Sequence, residues 1–552
     1  MQIIQNLKKG KKMKKRSILS KLLSIALASS VLVACSPSNP DDQGDTDDNN
    51  SNKTEVKSPD SEESDNPEDW PTMTWITGGT SAEVDDNAEV VKKIEERFKI
   101  DLKAWRVDDT NTMAVRLAGG EMPDVMVIGN LAQLPEYVKQ GILHEMPLDE
   151  LQEKAPNYAK VCDEQNDPTF WSTLMYDGKN WGAPQPMEAV PMAMIWRKDW
   201  LDKLGLELPE TIEEYEKVLT AFVEQDPDGD GNANTAGMAE RAFNAFFGAY
   251  GLRCVTGGNP HFKVSEMQLG EDGVPFFPWI RPEAKEVLTL LNDWYNKGII
   301  DKEFVTGENN GGYAWLSHSF MNDRIGLTCA QPYHYLIGPD QTDEKNWGIC
   351  MRELKAVNPD AEIAFGPAPV GPDGKSGTEG WNKVGRFTAL TTKAFEDQRV
   401  VDAFYQMLDD YYSDMDYARL VNYGIKGVHW DDDGAGPYRI MEGVQLREQG
   451  VLQVDFGSTV KYASEVTKSK TDFGHSVTGN GYFRFPAPPV DEFAEVQDTL
   501  NTLTNEAYFD MISGKKPIDY FETFVEEFKK AGGQAAEEAV QKAYAEKIAQ
   551  IE

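Results

Sequence analysis

Asp226, Asp228 and Asp230 alternate ahead of Gly231 in the stretch DPDGDGNAN, residues 226–234. That spacing turns three carboxylates towards one centre while the glycine permits a sharp turn, as at positions one, three, five and six of an EF-hand calcium loop. Asn232 would offer its backbone carbonyl at position seven, and Asn234 its side chain or a bridging water at position nine. The twelfth position is Gly237, which has no bidentate carboxylate to give. A calcium ion here would be bound weakly and act structurally, stiffening the loop at the end of the helix before it. The same residues also suit a polar Asp/Gly turn without metal.

Thirteen Trp and twenty Tyr supply a second kind of chemistry. Flat rings stack on the C–H faces of sugars, while Asn, Arg and carboxylates bond the hydroxyls. Trp171, Trp315, Trp381 and Trp430 are the aromatic candidates, each of which could equally serve in packing. Trp315 stands in NNGGYAWLS and Trp381 follows PDGKSGTEG, where glycines favour exposed loops. Trp430 closes NYGIKGVHW, with Asn422 and His429 as polar neighbours. Asn130 follows the apolar run 125–128, at the carboxyl end of a strand, where open α/β sheets bind ligands. Arg197, in WRKDW, could donate to a ligand hydroxyl or carboxylate, or form an ion pair with Asp199 or Asp202.

Catalytic and metal motifs are missing from the sequence: there is no H-E-x-x-H, G-x-S-x-G or G-x-x-x-x-G-K-S/T. Beyond Cys35 the cysteines are Cys162, Cys254, Cys329 and Cys350, too widely spaced for a zinc site. They could form two disulfides or remain four buried thiols. A net charge of −37 argues against a nucleic-acid partner, whose phosphates need Lys and Arg.

The elements that must position these residues have α/β character. Residues 73–77 read as a strand, Val91, Ile94 and Phe98 fall on one helical face, 100–107 alternate as a strand, and 113–117 are helical. The continuous apolar run 125–128 suits a strand covered on both faces. A second unit begins after Trp181, where VPMAMIWRKDW reads as strand then helix, and Thr211 with Glu214 forms a capping box. Further helices are expected at 282–297, 396–411, 490–513 and from 534 to the end. About 480 residues in the folded part exceed what one core usually supports, so two lobes are expected.

The N-terminus has its own logic. A basic block, Lys8 to Lys21, precedes an apolar segment of twelve residues from Leu22 to Val33, too short to span a bilayer, which takes about 20. Basic, apolar and small residues in that order make a secretory signal. Leu32-Val33-Ala34-Cys35 resembles the lipobox of bacterial lipoproteins, in which the cysteine is lipid-modified and becomes the first mature residue. Residues 36–69 then carry twelve acidic side chains against two Lys, with almost nothing apolar. Such a segment cannot offset its ordering entropy by burial and reads as a solvated linker.

Six phrases together resemble the extracellular solute-binding proteins of ABC transporters, in particular the LplA-like oligosaccharide-binding lipoproteins of family 1. They are LAGGEMPDVMV (117–127), MAMIWRKDWLDKLGLELPETIEEYEKVLTAF (192–222), LNDWYNKGIID (291–301), APVGPDGKSG (368–377), LVNYGIKGVHW (420–430) and ISGKKPIDYFETFVEEFKKAGG (512–533). The resemblance implies a two-lobed, periplasmic-binding-protein-like α/β fold of the maltose-binding type, with a hinge and a ligand cleft between lobes. It implies lobe one at 71–190 and 365–435, and lobe two at 191–364 and 436–552. It also implies an oligosaccharide ligand, ABC permease subunits as partners, and a monomer anchored by Cys35 to the outer face of the cytoplasmic membrane. Relatives often close the calcium loop with an Asp-Glu pair where this chain has Asn234 and Thr235, which would weaken the site. Two rival readings stay open on sequence: an extracellular glycoside hydrolase or lyase, for which acidic residues are plentiful, and a sensor subunit presenting ligand to a receptor.

Overall fold

The computed structural model describes residues 65–551, apart from 77–82, 106–109, 130, 165–169, 187–189, 230, 233, 257–261, 265–266, 306–316, 381–383, 433–436, 442, 455, 458–471, 484 and 486. Cys35, Asn130, Asp230, Trp315 and Trp381 therefore lie outside the described residues. The strands that organise the molecule are β1 (Thr72–Ile76), β2 (Asp101–Trp105), β3 (Val125–Ile128), β4 (Ala183–Pro186), β5 (Ala193–Arg197), β6 (Ala236–Met238), β7 (Ile325–Ala330), β8 (Ile363–Gly366), β9 (Thr378–Gly380), β10 (Val384–Leu390) and β11 (Gly481–Phe483).

The first sheet has the order β2-β1-β3-β10-β4. β1 runs parallel to β2 and β3, while β10 is antiparallel to both β3 and β4. The connection from β1 to β2 passes through the helix Glu89–Phe98, whose Val90, Val91, Ile94 and Phe98 are buried on one face. That stripe at helical spacing is what drives the helix onto the sheet. Trp75, Phe404, Tyr411 and Phe456 fill the same core.

The second sheet has the order β8-β5-β7-β6, with β5 antiparallel to β7 and β8, and β6 parallel to β7. Every residue of β5 and of β7 is buried, as the unbroken apolar runs require of strands covered on both faces. The helix Ile212–Glu224 starts on the capping box of Thr211 and Glu214. It buries Tyr215, Val218, Leu219 and Phe222 in a core that also holds Trp196, Trp200, Phe246 and Trp294. The C-terminal helices Gln497–Ile512, Tyr520–Phe528 and Gln534–Ile551 close over this core. The helix expected across 490–513 is divided into Asp491–Ala494 and Gln497–Ile512. At the break Val496 meets Gly532, whose lack of a side chain lets the two segments touch: a Cβ there would lie 2.7 Å from Val496 Cγ1.

Among the described residues the chain changes sheet between β4 and β5 and again between β8 and β10, and it goes from the core of the first sheet at Phe456 to that of the second at Phe485. Leu446, Val451, Val454 and Phe456 belong to the core of the first sheet. The passages are hydrogen-bonded into one strap. β9 and β11 pair in parallel, Met192 N donates to Glu379 O (2.9 Å), and Thr378 Oγ1 donates to Met192 O (2.7 Å). The buried Arg253 fastens the strap to the second lobe, donating from Nε to Tyr482 O (3.0 Å) and from Nη2 to Gly380 O (3.3 Å). A separate bridge joins the lobes where Asp491 accepts from Lys139 Nζ (2.6 Å) and Tyr176 Oη (3.0 Å).

Of the two cysteine alternatives the structure has the second: Cys162, Cys254, Cys329 and Cys350 are buried, free thiols. Burial raises the pKa of all four, that of Cys329 to about 12, so none is a ready nucleophile. The folded chain without its first 35 residues should therefore leave a thiol reagent unreacted over minutes and consume four equivalents in guanidinium. Two or fewer equivalents in guanidinium without reductant would mean that a disulfide exists.

Candidate functional site

A recess of about 830 Å³ opens between the two lobes. One wall comes from the second lobe, where the turn Pro332–His334 follows β7 directly and carries Tyr333 and His334. Trp347 and the helix Ile349–Val357 continue that wall with Arg352 and Lys355. The other wall comes from the first lobe, with Tyr423 at the end of the helix Met415–Tyr423, and Arg439.

Local sequence sets these positions. Pro332 starts the turn at a point where its missing N–H costs nothing. Ile337 N donates to Asn346 O (2.9 Å) and Gly348 N to Tyr335 O (2.8 Å), so the two loops run side by side. Only glycine permits that approach, since a Cβ at Gly348 would lie 2.3 Å from the carbonyl oxygens of Tyr333 and His334. Trp347 is oriented by its Nε1 donating to Gln341 O (2.7 Å), and Lys355 Nζ lies 5.6 Å from its ring centre. Arg439 sits over Tyr423 at 5.3 Å and donates to Asn422 O (3.2 Å).

Tyr333 is 48% exposed, yet desolvation raises its hydroxyl pKa, as befits a ring open to a recess rather than to bulk water. The charge of Arg386 on β10 pulls that pKa the other way. His334 is lowered to about 3 by burial and then by Arg241, so its ring is neutral at physiological pH. The lining thus combines aromatic faces with several cations and one carboxylate, Glu344.

The residues singled out from sequence are distributed differently. Arg197 is fully buried, paired with Asp199 and Asp323, and stacked 4.5 Å from the Trp200 ring. Of its two expected roles the ion pair with Asp199 is present. Trp171 packs edge-on against Tyr158 and Phe170 and donates to Asp163 Oδ1 (2.7 Å), in the core of the first lobe. Trp430 is 6% exposed, donates to Gly424 O (3.0 Å), and stands edge-on behind Tyr423. His429 is buried, its Nδ1 accepting from Ile425 N (2.9 Å), and Asn422 Nδ2 donates to Tyr411 Oη (2.8 Å). The phrase ending at Trp430 therefore supports the recess wall from behind, and Tyr423 and Arg439 are the residues that face it. Tyr333 and Trp347 escaped the sequence reading. The rule that singled out Asn130, a residue just past a buried strand's carboxyl end, applies equally to Tyr333 after β7.

In the loop at 226–234, Asp226 adopts a left-handed φ of 47° and accepts from Gly231 N at Oδ2 (3.1 Å). Its Oδ1 is buried with no hydrogen-bond partner among the described residues. Asp228 Oδ2 accepts from Thr235 Oγ1 (3.3 Å), and Lys203 Nζ donates to Pro227 O (2.7 Å). With Asp230 outside the described residues, no three His, Cys, Asp or Glu side chains converge among those described. The unpartnered Asp226 oxygen in a glycine-turned loop nevertheless fits a hard cation, which takes oxygen ligands.

Two sheets with separate cores and a recess between the lobes define a two-lobed α/β fold. Residues 80–313 match the model of the family described as bacterial extracellular solute-binding protein. Among curated relatives, the polygalacturonan/rhamnogalacturonan-binding protein YtcQ of Bacillus subtilis is 25% identical over 62% of this chain and 63% of its own length. The fructooligosaccharide ABC transporter substrate-binding protein FusA of Streptococcus pneumoniae is 28% identical over 42% of this chain and 45% of its own. The chain thus spans less than two thirds of the length of these relatives. Among solved structures, alginate-binding protein AlgQ2 without calcium ion matches with a TM-score of 0.64 at 19% identity, over 86% of this chain and 98% of that one. FusA in complex with kestose matches with 0.61 at 18%, over 87% and 99%. These identities speak to the fold, which is that of the two-lobed solute-binding proteins.

The placement of Arg197 makes a prediction. Arg197→Met should destabilise the second lobe by about 3 kcal/mol, towards the low end for breaking a buried ion pair because both carboxylates left behind stay partly hydrated. Ligand affinity measured below the melting point should be unchanged. A loss of affinity in a variant of unaltered stability would return Arg197 to the binding site.

Proposed function

We propose that this protein is the capture subunit of an ABC importer, binding an oligosaccharide between its lobes and presenting it to permease subunits in the membrane. The observation that carries the reading is the recess itself, walled by Tyr333 and Trp347 from one lobe and Tyr423 from the other. A ligand touching both walls stabilises the closed arrangement of the lobes, so binding and closure are one equilibrium. The names of the relatives, which bind polygalacturonan, rhamnogalacturonan or fructooligosaccharide, support an oligosaccharide as the cargo class. Glycoside hydrolysis generally uses a pair of carboxylates about 5 to 9.5 Å apart. The described lining offers Glu344 alone, which favours binding over turnover.

Anchoring belongs to the same reading. Cys35 carries the lipid, the acidic segment 36–69 is the linker, and the outer face of the cytoplasmic membrane is where the protein works. One relative is itself named Lipoprotein LipO, and among the described residues no helix is long and apolar enough to cross a membrane. The protein acts as a monomer. Calcium occupies the loop of Asp226, Asp228, Asp230, Asn232 and Asn234 as a structural ion. Solved relatives described as lacking calcium or as an EF-hand mutant support a metal in this fold.

Two measurements test the reading. In a thermal-shift screen of the chain without its first 35 residues, an oligosaccharide at 100 times its Kd should stabilise the protein by about 2.7 kcal/mol and be recovered intact. Trp347→Ala should weaken that binding about tenfold, close to 1.4 kcal/mol. Glycan recovered in fragments would instead establish an enzyme. Separately, calcium added to chelator-treated protein should raise the melting temperature, and Asp226→Asn should remove the rise. An equal response in the variant would rule the loop out as the site.

A further inference from the structure

We infer that the recess selects an oligosaccharide carrying anionic groups along its length over a neutral one. The inference rests on the binding reading above and adds the ligand's charge to it. The chain has 92 acidic against 55 basic side chains, so an exposed cation has carboxylates on every side. Several cations elsewhere use them: Arg97 pairs with Asp410 and Asp414, Lys103 with Asp86 and Asp101, Lys285 with Asp519 and Glu522, Lys297 with Glu216 and Asp293.

Three cations of the recess do not. Lys355 Nζ donates to the backbone carbonyl of Pro359 (2.9 Å) and otherwise faces the Trp347 ring. Arg439 donates to the backbone carbonyl of Asn422 and lies over Tyr423. Arg352 is exposed on its helix. Among the described residues none of the three has a carboxylate within ion-pair distance, and Lys345 adds a fourth positive charge to the lining.

Like charges gathered in a concavity repel one another, and low-dielectric walls concentrate their field. In a protein of net charge −37 such a grouping is stabilised when an anion enters. The lining is also poor in what a neutral sugar needs. Hydroxyl donors are met by Asp, Glu, Asn or Gln oxygens, and Glu344 is the one such side chain among the described lining residues. The arginine fork matches carboxylate and sulfate oxygens alike, so the shared chemistry is an anionic sugar, with either group as its source. Because Arg352 and Arg439 stand on opposite lobes, a chain of anions spanning them would draw the lobes together. Tyr333 and Trp347 would stack on the rings between.

The test is calorimetric titration of the chain without its first 35 residues, which leaves the compact unit from residue 63 to 552 whole. The probes are tetragalacturonate, a sulfated carrageenan tetrasaccharide, fully methyl-esterified tetragalacturonate and the neutral tetrasaccharide nystose. At least one anionic probe should bind about tenfold or more tightly than either neutral one, and the better of the two names the source of the anion. That preference should shrink as ionic strength is raised, because screening reaches such accessible charges. Arg352→Gln and Arg439→Gln should each weaken the anionic probe about tenfold, with melting temperatures unchanged. Lys542→Gln, which removes a charge from a lysine 79% exposed on the last helix, should not. Neutral probes binding as tightly as anionic ones, or an anionic affinity indifferent to both arginine substitutions, would overturn the inference while leaving an oligosaccharide-binding protein. Binding of none of the four would overturn both the inference and the reading beneath it.

Discussion

Arg253 holds this molecule's two halves in a workable relation. Its guanidinium donates to carbonyls on β9 and β11, two strands from distant parts of the chain that meet only at the crossing between lobes. A buried guanidinium must find several acceptors, and backbone carbonyls of strands without further neighbours must find donors. Each need answers the other. The strap is fixed to the second lobe, the passages cannot splay, and the space between the lobes keeps a defined mouth. Helix Phe243–Ala249 presses on the same strap at Gly248, where a Cβ would fall 1.9 Å from Gly377 O.

Within that frame the aromatic residues divide by a simple geometric criterion. Trp75, Trp196, Trp200, Trp279 and Trp294 are fully buried and interlock edge-to-face with Phe and Tyr, which gives each lobe a stiff core. Tyr333 and Trp347 have one side towards the recess because loops, not strands or core helices, carry them. The same residue type thus packs the core of each lobe in one place and lines the recess in another. Composition counts both uses alike, and of the four tryptophans singled out from sequence the two among the described residues, Trp171 and Trp430, pack against other aromatic rings.

Charge follows a similar division. Most basic side chains are neutralised by neighbours on the surface, where such pairs contribute at most about 1 kcal/mol each. Arg197 is the buried exception, paired twice and stacked on Trp200, and it serves the lobe rather than the ligand. Among the described residues Arg352, Lys355 and Arg439 of the recess have no carboxylate within ion-pair distance, although the chain is rich in them.

Alternation and helical spacing were enough to place β1, β3 and β5, the capping box at Thr211 and Glu214, and the helices at Pro282–Asn296 and Gln398–Ser413, because each depends on contacts a few residues apart. The order of family phrases carried the two-lobed fold. Short-range pattern also located the right neighbourhood around 420–430, though not the side chains that open onto the recess. Which side chain faces a ligand depends on approach between segments far apart in sequence: Gly348 against the Tyr333 loop, Trp430 behind Tyr423, Arg439 over the same ring. No periodicity encodes such encounters. The passage beyond Phe456, the fate of four thiols and the partners of Arg197 were likewise decided by tertiary packing, since each turns on distances across the chain that only the folded backbone sets.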